Sequence, residues 1–422
     1  MNVLVVGGGG REHALVWKIR QSPLVKRVVC APGNPGIAEI ADVEPIAAED
    51  LPGQLELARR FSADLVVVGP EAPLCDGLTD LLVSAGFRVF GPSKTAAEIE
   101  GDKAFARDLC RKERIASPQY WVFDDLRQAE SFFEGREEGP LVVKASGLAA
   151  GKGVTVAANK KEALAAVREC LVDGRFGDSG ARVVLEEKLE GPEVSSIALT
   201  DGKTLIPLEP ARDHKPVFDG DEGPNTGGMG AISPPRSVPP KILEQIEQSV
   251  LLPSIHGMNS ASRSFTGFLY AGLMLTAQGP KVLEFNCRMG DPETQPLMMR
   301  LKSDLVPLLL GAADGDLASC DAPEWDPRPA VCVVACAPGY PGSYPKGLHI
   351  DGIDELETGP DLQVFHAGTG RRGGDLVTAG GRVLSVCALG TDLEDARARA
   401  YGALEGIRFE GKHFRTDIGY LG

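Results

Sequence analysis

The sequence is short of positive charge and has no long apolar run. Its 44 lysines and arginines face 59 aspartates and glutamates, so the formal net charge is -15, and no stripe of basic residues is present. Nucleic acids and anionic membranes are bound through such stripes, and neither is an expected partner. Nowhere do eighteen apolar residues occur together, and the first ten residues carry a strand pattern instead of a basic leader. We therefore expect a soluble, cytoplasmic protein that holds anionic ligands with local basic groups.

The cysteines offer no sign of a cross-linked fold. There are nine, an odd number, and no Cys-x-x-Cys pair occurs among them. Neither a disulfide framework nor a zinc cluster is expected, and Cys332 and Cys336 are predicted simply to fill a strand. A chain of 422 residues is too long for one core, so three or four units of ordinary domain size are expected.

Strand and helix patterns alternate over the first hundred residues. Residues 2–7 form an apolar run that ends in four glycines, and residues 11–20 follow with apolar positions at helical spacing. Further strands are predicted at 27–31, 63–69 and 87–91. Such a pattern is typical of an open parallel sheet with helices on both faces, whose ligands bind at the carboxyl ends of the strands.

The glycine loop at residues 7–11 can bring backbone N–H groups to an anion at a helix N-terminus. A nicotinamide cofactor is the alternative ligand. Against it, the third glycine of the dinucleotide fingerprint is replaced by Glu12, and the second strand ends without an acidic residue for a ribose. A phosphorylated small molecule is favoured, and a purely structural turn remains the other interpretation.

A second glycine loop follows a predicted buried strand that ends in Lys144. An unpaired ammonium group would be costly there, so Lys144 needs an anionic partner. The loop carries Gly147, Gly151 and Gly153 with Lys152 among them, and it can close over phosphates as a flap of backbone donors. It lacks the spacing and the final Ser or Thr of a Walker loop. A glycine-rich hairpin is the structural alternative.

A carboxylate and an amide share one face of the strand predicted at residues 281–286. Glu284 and Asn286 project from that face, with Arg288 two residues further on. This oxygen pair suits Mg²⁺, which takes one or two protein ligands and completes its shell with water and phosphates. A nucleoside triphosphate is therefore implied, and Arg288 can hold a carboxylate or a phosphoryl oxygen. A solvated ion pair at a strand end is the alternative.

Two stretches further along the chain, residues 211–215 and 223–231, are predicted to be loops that touch substrate, because they concentrate charge and donors in irregular backbone. His214 is expected to be a surface histidine, with a general base as the alternative. A single helix is predicted at 95–112. Beyond a linker near residue 325, three strands and a helix predict a small α+β lobe.

Several motifs in order carry a family resemblance along nearly the whole chain. They are Gly-Gly-Arg-Glu-His-Ala-Leu15, Val-Gly-Pro-Glu-Ala-Pro73, Gly-Leu-Ala-Ala-Gly-Lys-Gly-Val154, Gly-Pro-Asn-Thr-Gly-Gly-Met-Gly230, Thr-Gly-Phe-Leu-Tyr-Ala-Gly272, Glu-Phe-Asn-Cys-Arg288 and Gly-Asp-Pro-Glu-Thr-Gln-Pro296. With these motifs the chain resembles the phosphoribosylamine-glycine ligases, or glycinamide ribonucleotide synthetases, of the ATP-grasp superfamily.

The resemblance implies an α/β fold in four parts. These are an N-terminal Rossmann-like parallel sheet at 1–101, the small lobe of an ATP-grasp region with its flap at 102–193, the large lobe with the metal site at 194–325, and a small C-terminal α+β domain at 326–422. The implied reaction joins glycine to 5-phosphoribosylamine through glycyl phosphate, with ATP and Mg²⁺ or Mn²⁺ as cofactors. A monomer is expected.

The resemblance also implies roles for individual residues. ATP contacts are implied for Lys103, Lys144, Gly147, Gly151, Lys152, Gly153, Glu186, Glu187, Leu189 and Glu193. The implied metal ligands are Glu284 and Asn286, and the implied catalytic residues are Arg288 and Asp213. Substrate contacts are implied for Gly9, Gly10, Glu71, Asp213, Asn225, Thr226, Gly228, Arg288 and Asp291.

Two positions depart from the family pattern, and the segment around Arg371 differs from it in length. Ser146 stands where an aspartate commonly follows Lys-Ala, and Pro216 stands where a basic residue is usual. Another ATP-grasp ligase or carboxylase with a different acceptor is the nearest alternative function, because fold and ATP site would be shared. A catalytically silent nucleotide-binding module is a further alternative, and it predicts a degraded metal site, whereas Glu284, Asn286 and Arg288 are all present.

Overall fold

The computed structural model describes residues 1–149 and 153–420 of the chain. Its first part is a five-stranded parallel sheet in the order β3-β2-β1-β4-β5. The elements are β1 Asn2–Gly7, α1 Gly10–Ile19, β2 Arg27–Pro32, β3 Asp42–Val43, α2 Leu51–Phe61, β4 Leu65–Val68, α3 Glu71–Asp76, α4 Leu78–Ser84, β5 Val89–Phe90 and α5 Lys94–Gly101. The predicted parallel sheet is confirmed, and the continuous apolar runs of β1 and β4 are buried as expected for strands covered on both faces.

The next part is a small lobe built on an antiparallel sheet in the order β6-β9-β7-β8. Its elements are α6 Lys103–Lys112, β6 Tyr120–Phe123, α7 Leu126–Glu134, β7 Leu141–Ala145, β8 Val154–Ala157, α8 Lys160–Leu171 and β9 Val183–Glu187. Helices α7 and α8 and the inner face of this sheet form an apolar core of their own. The small lobe therefore has a core separate from the rest of the molecule.

The prediction of a single helix at 95–112 is wrong. The chain leaves the helical conformation at Asp102, where φ is -140° and ψ is 100°. The Asp102 carboxylate accepts the backbone N–H groups of Ala104 and Phe105, which starts α6 as a new helix. An aspartate inside an apparently continuous helical pattern was the signal for this break. As a result, Lys103 lies in the first turn of α6.

The large lobe follows, with an antiparallel sheet in the order β11-β10-β16-β17. The elements of residues 193–314 are β10 Glu193–Thr200, β11 Leu205–Pro207, β12 Arg212–Asp213, β13 Pro216–Phe218, β14 Glu222–Asn225, β15 Gly230–Ser233, α9 Pro240–Ile246, α10 Leu252–Ser260, β16 Gly267–Thr276, β17 Gly279–Asn286, α11 Thr294–Arg300 and α12 Leu305–Asp314. The predicted pairing of β16 with β17 is confirmed. Apolar residues of this sheet share continuous cores with those of the N-terminal sheet.

The last part contains β18 Ala330–Cys336, β19 Leu362–His366, β20 Thr369–Arg372, β21 Asp375–Thr378, β22 Arg382–Leu389 and α13 Leu393–Gly406. Its five-stranded sheet has the order β12-β15-β18-β22-β19, so two of its strands come from the middle of the chain. The prediction that residues 211–215 and 223–231 are irregular loops is therefore wrong in part. Strands of two and four residues were too short to show a period, and β18, the partner of β15, lies far along the sequence.

Among the described residues, no helix combines the length and the apolar character that crossing a lipid bilayer requires.

Candidate active-site cleft

One cleft of about 490 Å³ gathers most of the residues that the sequence singled out. It lies between the small lobe and the large lobe and reaches the N-terminal sheet and the start of β22. Its walls include Glu71, Lys103, Lys144, Gly153, Glu186, Glu187, Leu189, Glu193, Asp213, Asn225, Thr226, Glu284, Asn286, Arg288 and Asp291. Gly9, Gly10, Gly147 and Gly228 are not part of its wall. Gly151 and Lys152 lie outside the described residues.

Basic side chains at one end of the cleft come from α6 and β7. Lys144 is buried, and its Nζ lies 2.9 Å from Glu186 Oε2 and donates to the Leu283 carbonyl at 2.8 Å. The expected anionic partner of Lys144 is therefore Glu186. Lys103 Nζ donates to the Gly147 carbonyl at 3.0 Å. We call the group Lys103, Arg107, Lys144 and Glu186 the lysine end of the cleft.

Ser146 stabilises the start of α6 at the lysine end. Its hydroxyl donates to Asp102 Oδ1 at 2.8 Å and accepts the Ala104 N–H at 3.1 Å. The Ser146 carbonyl in turn accepts the Lys103 N–H. This departure from the family pattern thus ties β7 to α6, the two elements that carry the lysines.

Glu284 and Asn286 face the cleft from β17, as the strand pattern predicted. Lys215 Nζ lies 3.0 Å from Glu284 Oε1, and this ammonium group is the main reason that the pKa of Glu284 is lowered to about 2. The side chain is thus an ionised oxygen donor near neutral pH. An ionised carboxylate beside an amide oxygen fits a divalent metal that shares its shell with phosphates. No cluster of three or more His, Cys, Asp or Glu side chains able to hold a metal occurs in the described ranges.

Arginines predominate where the cleft borders the N-terminal sheet and the start of β22. Arg288 donates from Nε to Glu71 Oε2 at 3.1 Å and from one Nη to Glu100 Oε1 at 3.0 Å. Burial raises the pKa of Glu71, but Arg288 and Arg11 outweigh burial and bring it to about 2. Arg382 donates to the backbone carbonyls of Gly227 and Asp291. We call the group Arg11, Glu71, Arg288 and Arg382 the arginine end.

Asp213 lies beside Glu293 in the cleft. Its Oδ1 is buried and has no hydrogen-bond partner among the described residues. Burial raises the pKa of Asp213 well above its usual value, and the Glu293 carboxylate raises it further. Glu293 is buried and accepts the hydroxyls of Ser195 and Tyr270, each at 2.9 Å. Asp213 thus brings a carboxyl group to the cleft wall, and such a group suits an ammonium or amine group.

The segment beside Asp213 is tightly packed and ordered by hydrogen bonds. Gly228 has a φ of +116°, and a Cβ there would meet Asp213 Oδ1 at 2.6 Å, so only glycine lets the backbone pass. Thr226 Oγ1 accepts the Gly228 N–H and donates to the Lys215 carbonyl. His214, expected at the surface, is instead buried, and burial lowers its pKa to about 4. That prediction was wrong because the chain continues beside β15 after β12, where the His214 backbone exchanges hydrogen bonds with Gly230 and Met229.

The N-terminal glycine loop is already occupied by carboxylates of the chain itself. The Gly9 N–H donates to Glu12 Oε2 at 2.7 Å, and the Arg11 N–H donates to Asp291 Oδ2 at 3.3 Å. These two groups meet the N-terminus of α1, where a phosphate was expected. Glu12, which counted against a dinucleotide in the sequence, therefore places a negative charge where a pyrophosphate would bind.

Sequence reasoning did not single out several cleft residues. These are Arg11, Glu100, Arg107, Lys215, Tyr270, Glu293 and Arg382. Arg11, Tyr270 and Glu293 lie inside motifs that were recognised, and Lys215 ends the stretch 211–215, so a signal was available for these four. Arg107 and Arg382 lie in an ordinary helix and at an ordinary strand start, and nothing local marks them.

Comparison with known proteins identifies this architecture. Family models described as the N domain, the ATP-grasp (A) domain and the C domain of phosphoribosylglycinamide synthetase match residues 1–100, 101–294 and 330–421. A phosphoribosylamine–glycine ligase of Caulobacter vibrioides is 51% identical over 421 residues, covering 100% of this chain and 98% of that protein. One of Vibrio vulnificus is 48% identical over 424 residues, with the same coverage.

Solved structures agree with this match. The crystal structure of the phosphoribosylamine–glycine ligase of Thermotoga maritima superposes with a TM-score of 0.86 at 32% identity, covering 99% of this chain and 100% of that one. A biotin carboxylase of Campylobacter jejuni reaches a TM-score of 0.75 at 15% identity, covering 100% of this chain and 94% of that one, which shows a shared fold only. The predicted family and the predicted fold class are confirmed.

Proposed function

This chain belongs to the phosphoribosylglycinamide synthetase family, and we propose that its cleft is the site where glycine is joined to 5-phosphoribosylamine at the expense of ATP. The products are glycinamide ribonucleotide, ADP and phosphate, in the second step of de novo purine synthesis. The enzyme is thus a carbon–nitrogen ligase that uses ATP and a divalent metal ion. We propose Mg²⁺ as that ion, with Mn²⁺ as the alternative.

The observation that carries the proposal is the division of one cavity into a lysine end and an arginine end, with Asp213 in the same wall. Lys103 and Lys144 offer positive charge to a polyphosphate. The arginine end supplies both cations and carboxylates, which suits a ligand that has an anionic group and hydroxyls. The carboxyl group of Asp213 suits the amino group of a small amino acid. Three ligands of different chemistry are therefore accommodated together.

Different residues of the cleft are proposed to contact the phosphates, the adenine and ribose, and the metal ion during phosphoryl transfer. Such a transfer is nearly in line and depends on positioning and on cations more than on a protein base. Lys103, Lys144 and Gly153 hold the phosphates, with Gly147 anchoring Lys103, and Gly151 and Lys152 remain predicted flap contacts. Glu187, Leu189 and Glu193 line the wall beside the proposed adenine and ribose. Glu284 and Asn286 would hold the metal ion, which supplies charge neutralisation and orientation when bound.

The acceptor half of the reaction takes place towards the arginine end. Glycine carboxylate attacks the γ-phosphoryl group to give glycyl phosphate, and the amine of phosphoribosylamine then displaces its phosphate. Arg288 stabilises the negative charge that develops in both steps, because its guanidinium group reaches the cleft from beside β17. Asp213, with Asn225, Thr226 and Gly228 shaping the adjoining segment, orients the amino groups.

Glu71 and Asp291 are proposed to hold the ribose part of phosphoribosylamine. Both carboxylates line the arginine end and are charge-compensated by Arg288, Arg11 and Arg382. The contributions of Gly9 and Gly10 stay predictions. Because Glu12 and Asp291 already take the N–H groups of that loop, these glycines act by letting the backbone come close to the ligand.

The monomeric state and the cytoplasmic location also stay predictions. All nine cysteines are unbridged, which is the usual condition in a reducing compartment and supports the second of these.

The test is to measure phosphate release from ATP and Mg²⁺ with freshly made phosphoribosylamine, with glycine present or omitted. We expect release that requires glycine and a product that is glycinamide ribonucleotide. Release that requires another acceptor would support the proposed ATP site and contradict the proposed pair of substrates. Absence of release under every condition would favour the silent nucleotide-binding module.

A further inference from the structure

Arg107 is buried at the floor of the cleft and has no place in the reaction as described so far. Its side chain is 3% exposed, and all three nitrogens of its guanidinium group donate. Nε donates to Glu186 Oε1 at 2.6 Å, and the two Nη atoms donate to the carbonyls of Val282 at 3.0 Å and Leu283 at 2.6 Å. Arg107 thus joins the small lobe to the strand that carries Glu284.

The two acceptors of Lys144 are also acceptors of Arg107. Lys144 contacts the other oxygen of Glu186 at 2.9 Å and the same Leu283 carbonyl at 2.8 Å. One carboxylate and one carbonyl are therefore shared between two cations. Burial raises the pKa of Glu186, but Lys144 and Arg107 outweigh it and keep the pKa below its usual value. Glu186 is thus an anion whose charge is shared between Lys144 and Arg107.

We propose that Arg107 is a positioning residue that keeps Lys144 available to the phosphates of ATP by competing with it for Glu186 and Leu283. Without the guanidinium group, the buried Glu186 charge would be compensated by Lys144 alone. An ion pair in such a place is held strongly, because breaking it leaves an uncompensated buried charge. The ammonium group would then be withheld from the nucleotide. The inference rests on the proposed assignment of ATP to the lysine end.

The first test is Arg107→Met, which keeps length and loses charge. We expect the Kd for ATP, measured by calorimetry without glycine, to rise about tenfold. The KM values for glycine and phosphoribosylamine should stay within about twofold, because the arginine end is untouched. Arg107→Lys keeps one cation for Glu186 and should recover most of the ATP affinity.

Arg300→Met is the matched control for a merely structural effect. Arg300 is also 3% exposed, and it also bonds backbone carbonyls and a carboxylate, those of Asp326, Arg328 and Glu209, away from the cleft. It should lower the melting temperature as Arg107→Met does and leave the Kd for ATP unchanged. Equal effects of the two variants on ATP affinity would overturn the proposal.

The decisive experiment is the double variant Arg107→Met with Glu186→Gln. If Arg107 acts by releasing Lys144 from Glu186, then removing the Glu186 charge must restore at least half of the lost ATP affinity in that background. A double variant that binds ATP no better than Arg107→Met overturns the inference. Lys144→Ala tests the assignment of ATP to the lysine end by itself. Unchanged ATP affinity in that variant would show that this assignment is wrong.

Discussion

The two ends of the cleft hold their cations in different ways. At the lysine end, Lys103 donates to a backbone carbonyl, and Lys144 shares a single carboxylate with Arg107. At the arginine end, each arginine has a carboxylate nearby: Arg288 contacts Glu71 and Glu100, Arg11 contacts Glu12, and Arg382 lies 3.4 Å from Asp291. The lysine end therefore keeps an excess of positive charge, whereas the arginine end is compensated. A polyphosphate needs the first kind of environment, and a sugar with hydroxyls and one anionic group needs the second.

The largest effect is expected where the ends meet, at Glu284. Glu284→Gln removes the only acidic metal ligand that we propose, so kcat should fall about 100-fold or more at saturating Mg²⁺. The melting temperature should fall only modestly, because Lys215 loses its contact with Glu284 but keeps Glu193 at 3.6 Å. Glu44→Gln, which removes an exposed partner of Arg60, is the control and should leave kcat unchanged. Losses of stability and activity in equal proportion would contradict the metal assignment.

A smaller and more selective effect is expected from Lys144→Ala. The excess of positive charge at the lysine end falls, and the KM for ATP should rise about 30-fold while the KM for phosphoribosylamine stays constant. Steady-state kinetics with each substrate varied in turn measures both. Lys412→Ala is the control, since that ammonium group also donates to backbone carbonyls but lies in the C-terminal part. An equal rise in the KM values for ATP and phosphoribosylamine would contradict the proposed difference between the two ends.

The converse selectivity is expected from Glu71→Gln. Its charge compensates Arg288 and Arg11, so its loss should raise the KM for phosphoribosylamine about tenfold and spare the KM for ATP. The same kinetic series applies, with Glu98→Gln at an exposed ion pair as the control. If ATP binding suffered as much, Glu71 would belong to both ends and the comparison would fail.

The smallest effect concerns pH, and it tests whether the cleft keeps its charges. Glu71 and Glu284 have pKa values of about 2, so these two carboxylates should keep their charge near neutral pH. His13 and His366 lie buried between the N-terminal and C-terminal parts, and burial is the main reason that their pKa values are lowered to about 3 and about 4. These two histidines lie outside the cleft wall, so their protonation should affect stability and not substrate binding.

The sign of that stability change follows from proton uptake. Below the ordinary histidine pKa of about 6.5 the unfolded chain binds protons that the folded chain does not, so stability is complete above that pH and is lost as pH falls. Each histidine contributes a loss of about 1.4 kcal/mol per pH unit down to its folded pKa. Urea unfolding between pH 7.5 and 5 measures the loss. The slope should be shallower in His13→Gln, and an unchanged slope would contradict this origin.

The sequence predicted those parts of the fold and site that have a local signature. Apolar runs gave the strands of the parallel sheet, and a period of two placed Glu284 and Asn286 on one face of β17. Arg107 could not be found this way, because Arg111 stands one helical turn further along the same helix, and its side chain is 67% exposed. Only tertiary packing separates the two arginines. The burial of His214 could not be predicted for a similar reason, since it depends on strands that pair across long separations in the sequence.

The recruitment of β12 and β15 into the C-terminal sheet has a consequence for synthesis of the chain. β15 ends at Ser233, whereas its partner β18 begins at Ala330, so the sheet cannot be completed until almost a hundred further residues have been added. At ordinary translation rates that interval lasts roughly 5 to 20 s. Throughout it, β12 with Asp213 can pair only with β15, so the complete sheet that positions Asp213 forms after the C-terminal strands have been synthesised.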